Sequence, residues 1–356
     1  HWKNRELAGV VIDEAQAAKN PRTQLYRYLK DLPVAWRVCI SGTPIENSLE
    51  DLWSLMSLAV PGLLSSHSSF NEKFRRPIEA GRSPDLLNLL HSLIAPFVLR
   101  RTKEEVAPEL PERVETLLPV PLGRKQRQIY DRYLTRERAR LLHLELENDT
   151  RERFEVLAAL TRLRQLSLDP ALVDQRYDSV GSAKIDLLCE HLEQILPLGH
   201  KVLVFSQFVA FLERIRRSLD QRGIHSLLLE GKTRNRHAVI DEFQHGDVQV
   251  FLISLKAGGV GLTLTQADYV YMMDPWWNPS VEAQAVNRAH RIGQDRRVNV
   301  YRLVAQDTIE EKVCELQAHK QLLVVSVVGQ NLGEGRSSTD IQQLLKLIQG
   351  DRDGRV

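Results

Sequence analysis

Two arginines and an amide at helical spacing are the first groups in this chain whose types and positions could do chemistry. Residues 274–294 read Asp-Pro-Trp-Trp-Asn-Pro-Ser-Val-Glu-Ala-Gln-Ala-Val-Asn-Arg-Ala-His-Arg-Ile-Gly-Gln. The spacing predicts a helix over 279–291 that carries Gln284, Arg288 and Arg291 at i, i+4 and i+7 on one face. A guanidinium is a permanently charged planar fork. Two of them beside an amide suit a phosphate chain, where they stabilise charge developing on a transferring phosphoryl group. A second group lies near the start. Leu7 to Ile12 is a continuous apolar run that predicts a buried parallel strand, and Asp13-Glu14-Ala15-Gln16 follows at its carboxyl end, where open α/β sheets bind ligands. Asp13 there suits magnesium, and Glu14 suits general-base work on an attacking water beside the metal. The bland alternatives are a solvated basic face for the arginines and an ordinary strand end for the acids.

Both groups need rigid elements behind them. A second apolar strand over 35–40 runs into Ser41-Gly42-Thr43-Pro44-Ile45-Glu46-Asn47. From Ser182 onward strands at 201–208, 226–229 and 248–254 alternate with helices ending at Leu219 and covering 236–243, which implies a parallel sheet with right-handed crossovers. After the third of these strands, Gly258, Gly259 and Gly261 permit close backbone approach to a ligand. Between the two ends the chain reads as mostly helical. Leu-rich periodic stretches cover 86–99 and 154–168, and Pro108, Pro111, Pro119 and Pro121 punctuate a connection. Residues 124–147 carry many charges, with Ile129, Tyr130, Leu134 and Leu141 at helical spacing, and predict a helical protrusion.

The ordered set of segments from Asp13 to about Leu316 resembles the Swi/Snf-type ATPases of helicase superfamily two. The end of the arginine segment, Arg288-Ala-His-Arg-Ile-Gly-Gln294, matches that family's last motif. Asp-Glu-Ala-Gln and Ser-Gly-Thr-Pro match its second and third motifs, and the glycine loop its fifth. Pro96-Phe97-Val98-Leu99-Arg100-Arg101-Thr102-Lys103 with Leu110-Pro111 matches the basic pair between lobes. The resemblance implies ATP with magnesium bound between two RecA-like lobes and movement along double-stranded DNA, generally without strand separation. It makes Arg288 and Arg291 arginine fingers, with Glu14 the third catalytic group. Nucleotide contacts are implied at Asp13, Glu14, Gln16, Gly261, Gln284, Arg288 and Arg291, and magnesium contacts at Asp13 and Glu14. DNA contacts are implied at Thr43, Arg100, Arg101, Ser206, Gln207, Lys256, Gly258, Gly259, Trp277 and Asn278. Trp276 and Trp277 suit stacking on bases or sugars, although packing beside the arginine segment is the simpler role for the pair. One departure stands out: the family usually has Asp before the first arginine, and this chain has Asn287, which implies a changed hold on Arg288.

The remaining features set bounds. At 356 residues the chain exceeds the usual domain size. The expected parts are the end of a first RecA-like lobe over 1–54, a helical insertion and connection over 55–180, a complete second lobe over 181–328 and a tail with a docking helix over 329–356. The fold class is thus α/β, with a partial first and a complete second RecA-like lobe. Lys and Arg number 48 against 46 Asp and Glu, so any DNA contact must be local. Cys39, Cys189 and Cys314 form no metal or disulfide spacing and read as buried thiols. No apolar run reaches the ~20 residues of a membrane span, which points to a cytoplasmic, nucleoid-associated protein. The sequence holds no Gly-x-x-x-x-Gly-Lys-Ser/Thr loop. Gly231-Lys232-Thr233 imitates its end, but Ser226 stands at the first glycine position and the intervening residues read as strand. The chain starts without Met and reads as the carboxyl-terminal part of a longer protein, inactive alone. The expected function is a DNA-translocating motor, with a lean towards bacterial members whose obstacle is RNA polymerase or another DNA-bound protein. The alternatives are a non-catalytic DNA-binding or regulatory module and a strand-separating helicase or restriction-type translocase. Trp-Asn-Pro and Arg-Ile-Gly-Gln argue against the last.

Overall fold

The computed structural model describes residues 7–45, 48–80, 84–141, 150–257, 262–328 and 348. The chain folds into two compact units, residues 1–101 with 278–280 and 316–339, and residues 102–277 with 281–315 and 340–356. The division between Arg101 and Thr102 falls within the stretch expected to be one helical insertion and connection.

In the first unit β1 (Leu7–Ile12) pairs in parallel with β2 (Val34–Cys39), placing Gly9 opposite Trp36 and Ile12 opposite Cys39. The indole of Trp36 lies against bare backbone, since a Cβ on Gly9 would come within 2.0 Å of it. Between the strands runs α1 (Gln24–Lys30), capped by Thr23, whose side chain accepts the Tyr26 N–H. After them come α2 (Leu49–Ala59) and α3 (Pro84–Ile94), which bury Leu49, Leu52 and Met56 against Leu87, Leu90 and Ile94. The expectation of a buried β1 is corrected: Val11 is 55% exposed and its neighbour Val38 46%. Among the described residues this sheet has only two strands, too few to cover both faces of an apolar run.

The second unit is built on a six-stranded, wholly parallel sheet. Its strands are β3 (Arg113–Val120), β4 (Val202–Ser206), β5 (Ser226–Leu229), β6 (Val250–Ser254), β7 (Tyr269–Met272) and β8 (Val298–Ala305), in the spatial order β3-β8-β7-β4-β6-β5. Every residue of β4 and β6 is buried, as continuous apolar runs in a parallel sheet should be. Along the chain after β3 come the helices α4 (Arg124–Leu141), α5 (Thr150–Leu168), α6 (Ala183–Ile195), α7 (Val209–Gln221), α8 (Arg236–His245), α9 (Pro279–Val286) and α10 (Ile309–Val328). Alternate residues of β4 enter different cores. Leu203 and Phe205 join Phe243 of α8 and Val286 of α9, whereas Val202 and Val204 join Leu188 of α6 and Phe211 of α7.

Two elements differ from the sequence reading. The proline-punctuated connection contains β3, paired with β8 along its whole length, and Pro119 is tolerated because β3 is an edge strand. The charged helix is anchored rather than protruding. Ile129, Tyr130 and Leu141 of α4 are buried, and the Tyr130 hydroxyl accepts the Ile309 N–H at 2.8 Å. Residues 142–147 lie outside the described residues, as do 341–347 of the expected docking helix; Ile348 is buried and its carbonyl accepts from Arg138 Nε at 2.7 Å. The thiols also depart in part, since Cys189 is buried but Cys39 and Cys314 are only partly so. Burial still pushes the Cys314 thiol up to about 12. No helix among the described residues is long and apolar enough to cross a membrane.

The ends of β7 and β8 are held by a buried ion pair. Lys184 Nζ donates to the carbonyls of Met273 (2.6 Å) and Leu303 (2.8 Å) and to Glu310 Oε2 (2.6 Å), which also accepts the Ala305 N–H. Burial pushes the Glu310 carboxyl up and the Lys184 ammonium pulls it back. Removing one partner strands a charge, so Lys184→Met is expected to cost about 3–5 kcal/mol. Pairing it with Glu310→Leu should return most of that loss, as read by chemical denaturation; an equal loss in the double variant would show that packing, not charge, sets the cost.

Candidate nucleotide and nucleic-acid site

The first constellation forms where β1 and β2 end. Backbone pairing continues past both strands, with the Ile40 N–H on the Ile12 carbonyl (2.8 Å) and the Ala15 N–H on the Ile40 carbonyl (2.9 Å), so Asp13–Gln16 and Ser41–Thr43 lie side by side. Glu14 sits in the left-handed region at φ 49°, ψ 46°, a conformation that costs a non-glycine residue about 1 kcal/mol or more and recurs at functional sites. A hydrogen-bond chain then runs from Gln16 Nε2 to Glu14 Oε2 (2.5 Å), from Ser41 Oγ to Gln16 Oε1 (2.6 Å) and from the Thr43 N–H to Ser41 Oγ (3.0 Å). Thr43 itself is nearly buried. Asp13 and Glu14 are both exposed, and Asp13 Oδ1 accepts the Glu14 N–H at 2.9 Å. Two hard carboxylates fit magnesium, which typically takes one or two from the protein and completes its shell with water and phosphate. Among the described residues no group of three or more His, Cys, Asp or Glu could form an all-protein metal cage.

The second constellation belongs to the carboxyl ends of β4, β6 and β7. Ser206 is buried, and its Oγ accepts the Phe208 N–H at 3.1 Å. The Gln207 N–H faces the Asp274 carboxylate at 3.3 Å, and Gln207 Oε1 accepts from Arg164 Nη1 at 3.2 Å. Arg164, from α5, is 3% exposed; it donates to the Pro275 carbonyl and places its guanidinium 5.0 Å from the Trp277 ring and 5.8 Å from that of Trp276. Burial lowers the Arg164 guanidinium, and the Asp274 carboxylate 3.7 Å away opposes the shift. Trp276 packs on the core and its backbone N–H donates to Glu282 Oε1 at 2.6 Å. Asn278 Oδ1 accepts the Ser280 N–H. Lys256 is exposed after β6. Gly258, Gly259 and Gly261 lie outside the described residues. Arg100 and Arg101 are exposed in a non-helical segment of the first unit.

The predicted helix over 279–291 is corrected at its end. Regular α-helix stops at Val286, and residues 287–291 follow as tight turns, with the Arg288 N–H on the Ala285 carbonyl (3.1 Å) and the Ala289 N–H on that of Val286 (3.1 Å). Gln284 is therefore on α9, while Arg288 and Arg291 are on the turn beyond it. The Arg288 carbonyl accepts the Leu264 N–H at 2.9 Å. Gln294, buried, donates to the Ala289 and Ala267 carbonyls and closes the turn after Gly293, whose φ of +99° calls for glycine. Arg288 is half-buried, whereas Arg291 is exposed with Nη1 3.4 Å from Thr263 Oγ1.

Sequence reasoning missed Arg164. Its signal was present, because a charge at 164 interrupts the apolar spacing Leu160 to Leu168, where an unpaired charge is rarely buried. It also missed Asp274, whose partners Arg164 and Gln207 are distant in sequence, and Glu282, which accepts the Trp276 backbone N–H. The Gly231-Lys232-Thr233 triplet forms a tight turn, with the Glu230 N–H on Thr233 Oγ1, and opens no helix of its own.

Comparison with known proteins adds the decisive observation. The SNF2-related domain family matches residues 1–172, and the helicase conserved C-terminal domain matches residues 183–293. The solved SWI2/SNF2 ATPase core domain of Sulfolobus solfataricus is 32% identical, with a TM-score of 0.53, covering 99% of this chain and 73% of that one. This chain belongs to the SWI2/SNF2 family. The same Sulfolobus core in complex with dsDNA matches this SWI2/SNF2 chain at 33% identity and a TM-score of 0.51, over 92% of this chain and 70% of that one. An uncharacterized ATP-dependent helicase of Mycoplasma pneumoniae is 35% identical over 96% of this chain and 32% of its own length. A putative ATP-dependent helicase/translocase of Bacillus subtilis is 34% identical over 98% of this chain and 39% of its own length. The chain thus spans about a third of the length of the curated relatives it matches. Fold class and family agree with the sequence reading: an α/β chain of RecA-like lobes from the SWI2/SNF2 ATPases.

Proposed function

We propose that the protein is an ATP-dependent motor that translocates on double-stranded DNA and moves or displaces DNA-bound proteins, RNA polymerase among them, in the bacterial cytoplasm. The observation that carries this reading is the hydrogen-bond chain Glu14–Gln16–Ser41–Thr43, which links an exposed acid pair suited to hydrolysis with a residue expected at DNA. Bound magnesium would neutralise phosphate charge, held by Asp13 with Glu14 beside it. Glu14 takes a proton from the attacking water. Gln16 orients Glu14 and passes its position to Ser41 and Thr43. Arg288 and Arg291 stabilise charge on the transferring phosphoryl group, with Gln284 and Gly261 as further nucleotide contacts. Arg100, Arg101, Ser206, Gln207, Lys256, Gly258, Gly259, Trp277 and Asn278 carry the DNA contacts, which position the protein without reading sequence. The solved relative bound to dsDNA supports duplex as the track. For this chain alone we propose DNA binding without turnover, since the sequence holds no Gly-x-x-x-x-Gly-Lys-Ser/Thr loop and Gly231-Lys232-Thr233 closes a tight turn.

The test is steady-state ATP hydrolysis with and without duplex DNA, on this chain and on the full-length gene product. DNA-stimulated turnover in the full-length protein supports the motor. No turnover in either, with DNA binding retained, favours a non-catalytic DNA-binding module. Efficient strand displacement would favour a helicase instead.

A further inference from the structure

The turn that carries Arg288 and Arg291 has no regular helix to hold it, which raises the question of what fixes the two guanidinium groups. Lys103 Nζ donates to Asn287 Oδ1 at 2.7 Å and to the His290 carbonyl at 2.6 Å. These two acceptors bracket Arg288, and the second immediately precedes Arg291. Past a helix terminus, carbonyls are left without intrahelical partners, and a cation is the group that stabilises them best. The lysine is itself well placed. It opens a short helical turn, Lys103–Val106, whose start is fixed by a capping box in which the Thr102 N–H donates to Glu105 Oε2 at 2.9 Å. A second tether runs in parallel, since the His290 ring Nε2 lies 2.8 Å from the Pro111 carbonyl and His290 is buried. All of these residues lie in one compact unit, so the connection at 102–111 and the turn at 287–291 form one local assembly.

We infer that Lys103 is a positioning residue for the arginine turn, a latch that sets where Arg288 and Arg291 stand. In this reading it acts on the arginines through Asn287 and the His290 carbonyl rather than on phosphate itself. Asn287 gives the latch a neutral acceptor, so its hold is graded: a carboxylate at 287 would tighten it, and a side chain without a cation at 103 would release it. The catalytic part of this inference rests on reading Arg288 and Arg291 as the groups that face phosphate; the latch itself does not.

The experiment therefore has two readouts. Hydrogen exchange of amides in residues 287–291 is followed in this chain for Lys103→Met, Lys103→Arg and Asn287→Asp. In parallel, kcat and KM for ATP are measured with duplex DNA in the full-length protein. Losing hydrogen bonds to a charged donor should raise exchange in the turn by about tenfold in Lys103→Met, with β4 and β6 unchanged. Arg should retain part of the protection, and Asn287→Asp should increase it. Misplacing the arginines by about 1 Å should lower kcat by roughly tenfold to a hundredfold at unchanged KM. Unchanged exchange in Lys103→Met overturns the latch whatever the ATPase does. Raised exchange with unchanged kcat overturns its positioning role. Raised exchange in a protein whose wild type never hydrolyses ATP keeps the latch and removes the motor reading instead.

Discussion

Glu14→Gln in the full-length protein is expected to keep ATP bound and to abolish hydrolysis. The substitution preserves shape and leaves a carbonyl oxygen that can still accept from Gln16 Nε2, which now bonds Glu14 Oε2 at 2.5 Å. The strained turn at φ 49° depends on backbone and neighbours, not on the carboxylate's charge. What the variant loses is basicity. A positioned general base typically contributes 10²–10⁴-fold, so kcat should fall by about that range. Affinity for a fluorescent ATP analogue should hold to within a few-fold, because Asp13 and the arginines proposed to face phosphate are untouched. The measurement pairs single-turnover hydrolysis with nucleotide titration. Lost binding would instead assign Glu14 a structural role at the strand end.

The acid pair was legible because strand, turn and carboxylates are contiguous, and local sequence carries contiguous features well. The same holds for β4, β5 and β6, whose apolar runs are bounded by turn residues. What stayed hidden depends on distance along the chain. Arg164 meets Gln207, Pro275 and Trp277 from another helix, and Lys103 meets Asn287 across 184 residues. β3 was obscured by Pro119 and the prolines that flank it, which mark a connection unless the strand lies at an edge. The helix over 279–291 was overextended for a different reason. Periodic spacing of Gln284, Arg288 and Arg291 satisfies a helix, but the carbonyl bonds to Leu264 and Gln294 draw the chain into turns after Val286. The Asn287 departure, expected to alter the hold on Arg288, proves to be one acceptor of the Lys103 ammonium.

Arg291→Ala tests the arginine turn with the least structural disturbance and should have the largest effect. Arg291 is exposed, and its described contact is a long one of 3.4 Å to Thr263 Oγ1, so truncation removes little packing. Arg288 is half-buried and its Nη1 lies 3.5 Å from the Leu262 carbonyl, so truncating it would mix stability with catalysis. If Arg291 stabilises charge only as the phosphoryl group transfers, its loss lowers kcat by about 10³-fold or more while nucleotide affinity changes little. Arg291→Lys should restore only a small part, because an ammonium is a point charge without the planar fork that meets phosphate oxygens in pairs. An unchanged turnover number in Arg291→Ala would remove the finger assignment. A large rise in KM with kcat intact would make Arg291 a ground-state binding contact. A fall in kcat shared by Arg291→Ala and Lys103→Met, with no further loss when the two are combined, would place both residues in one catalytic unit.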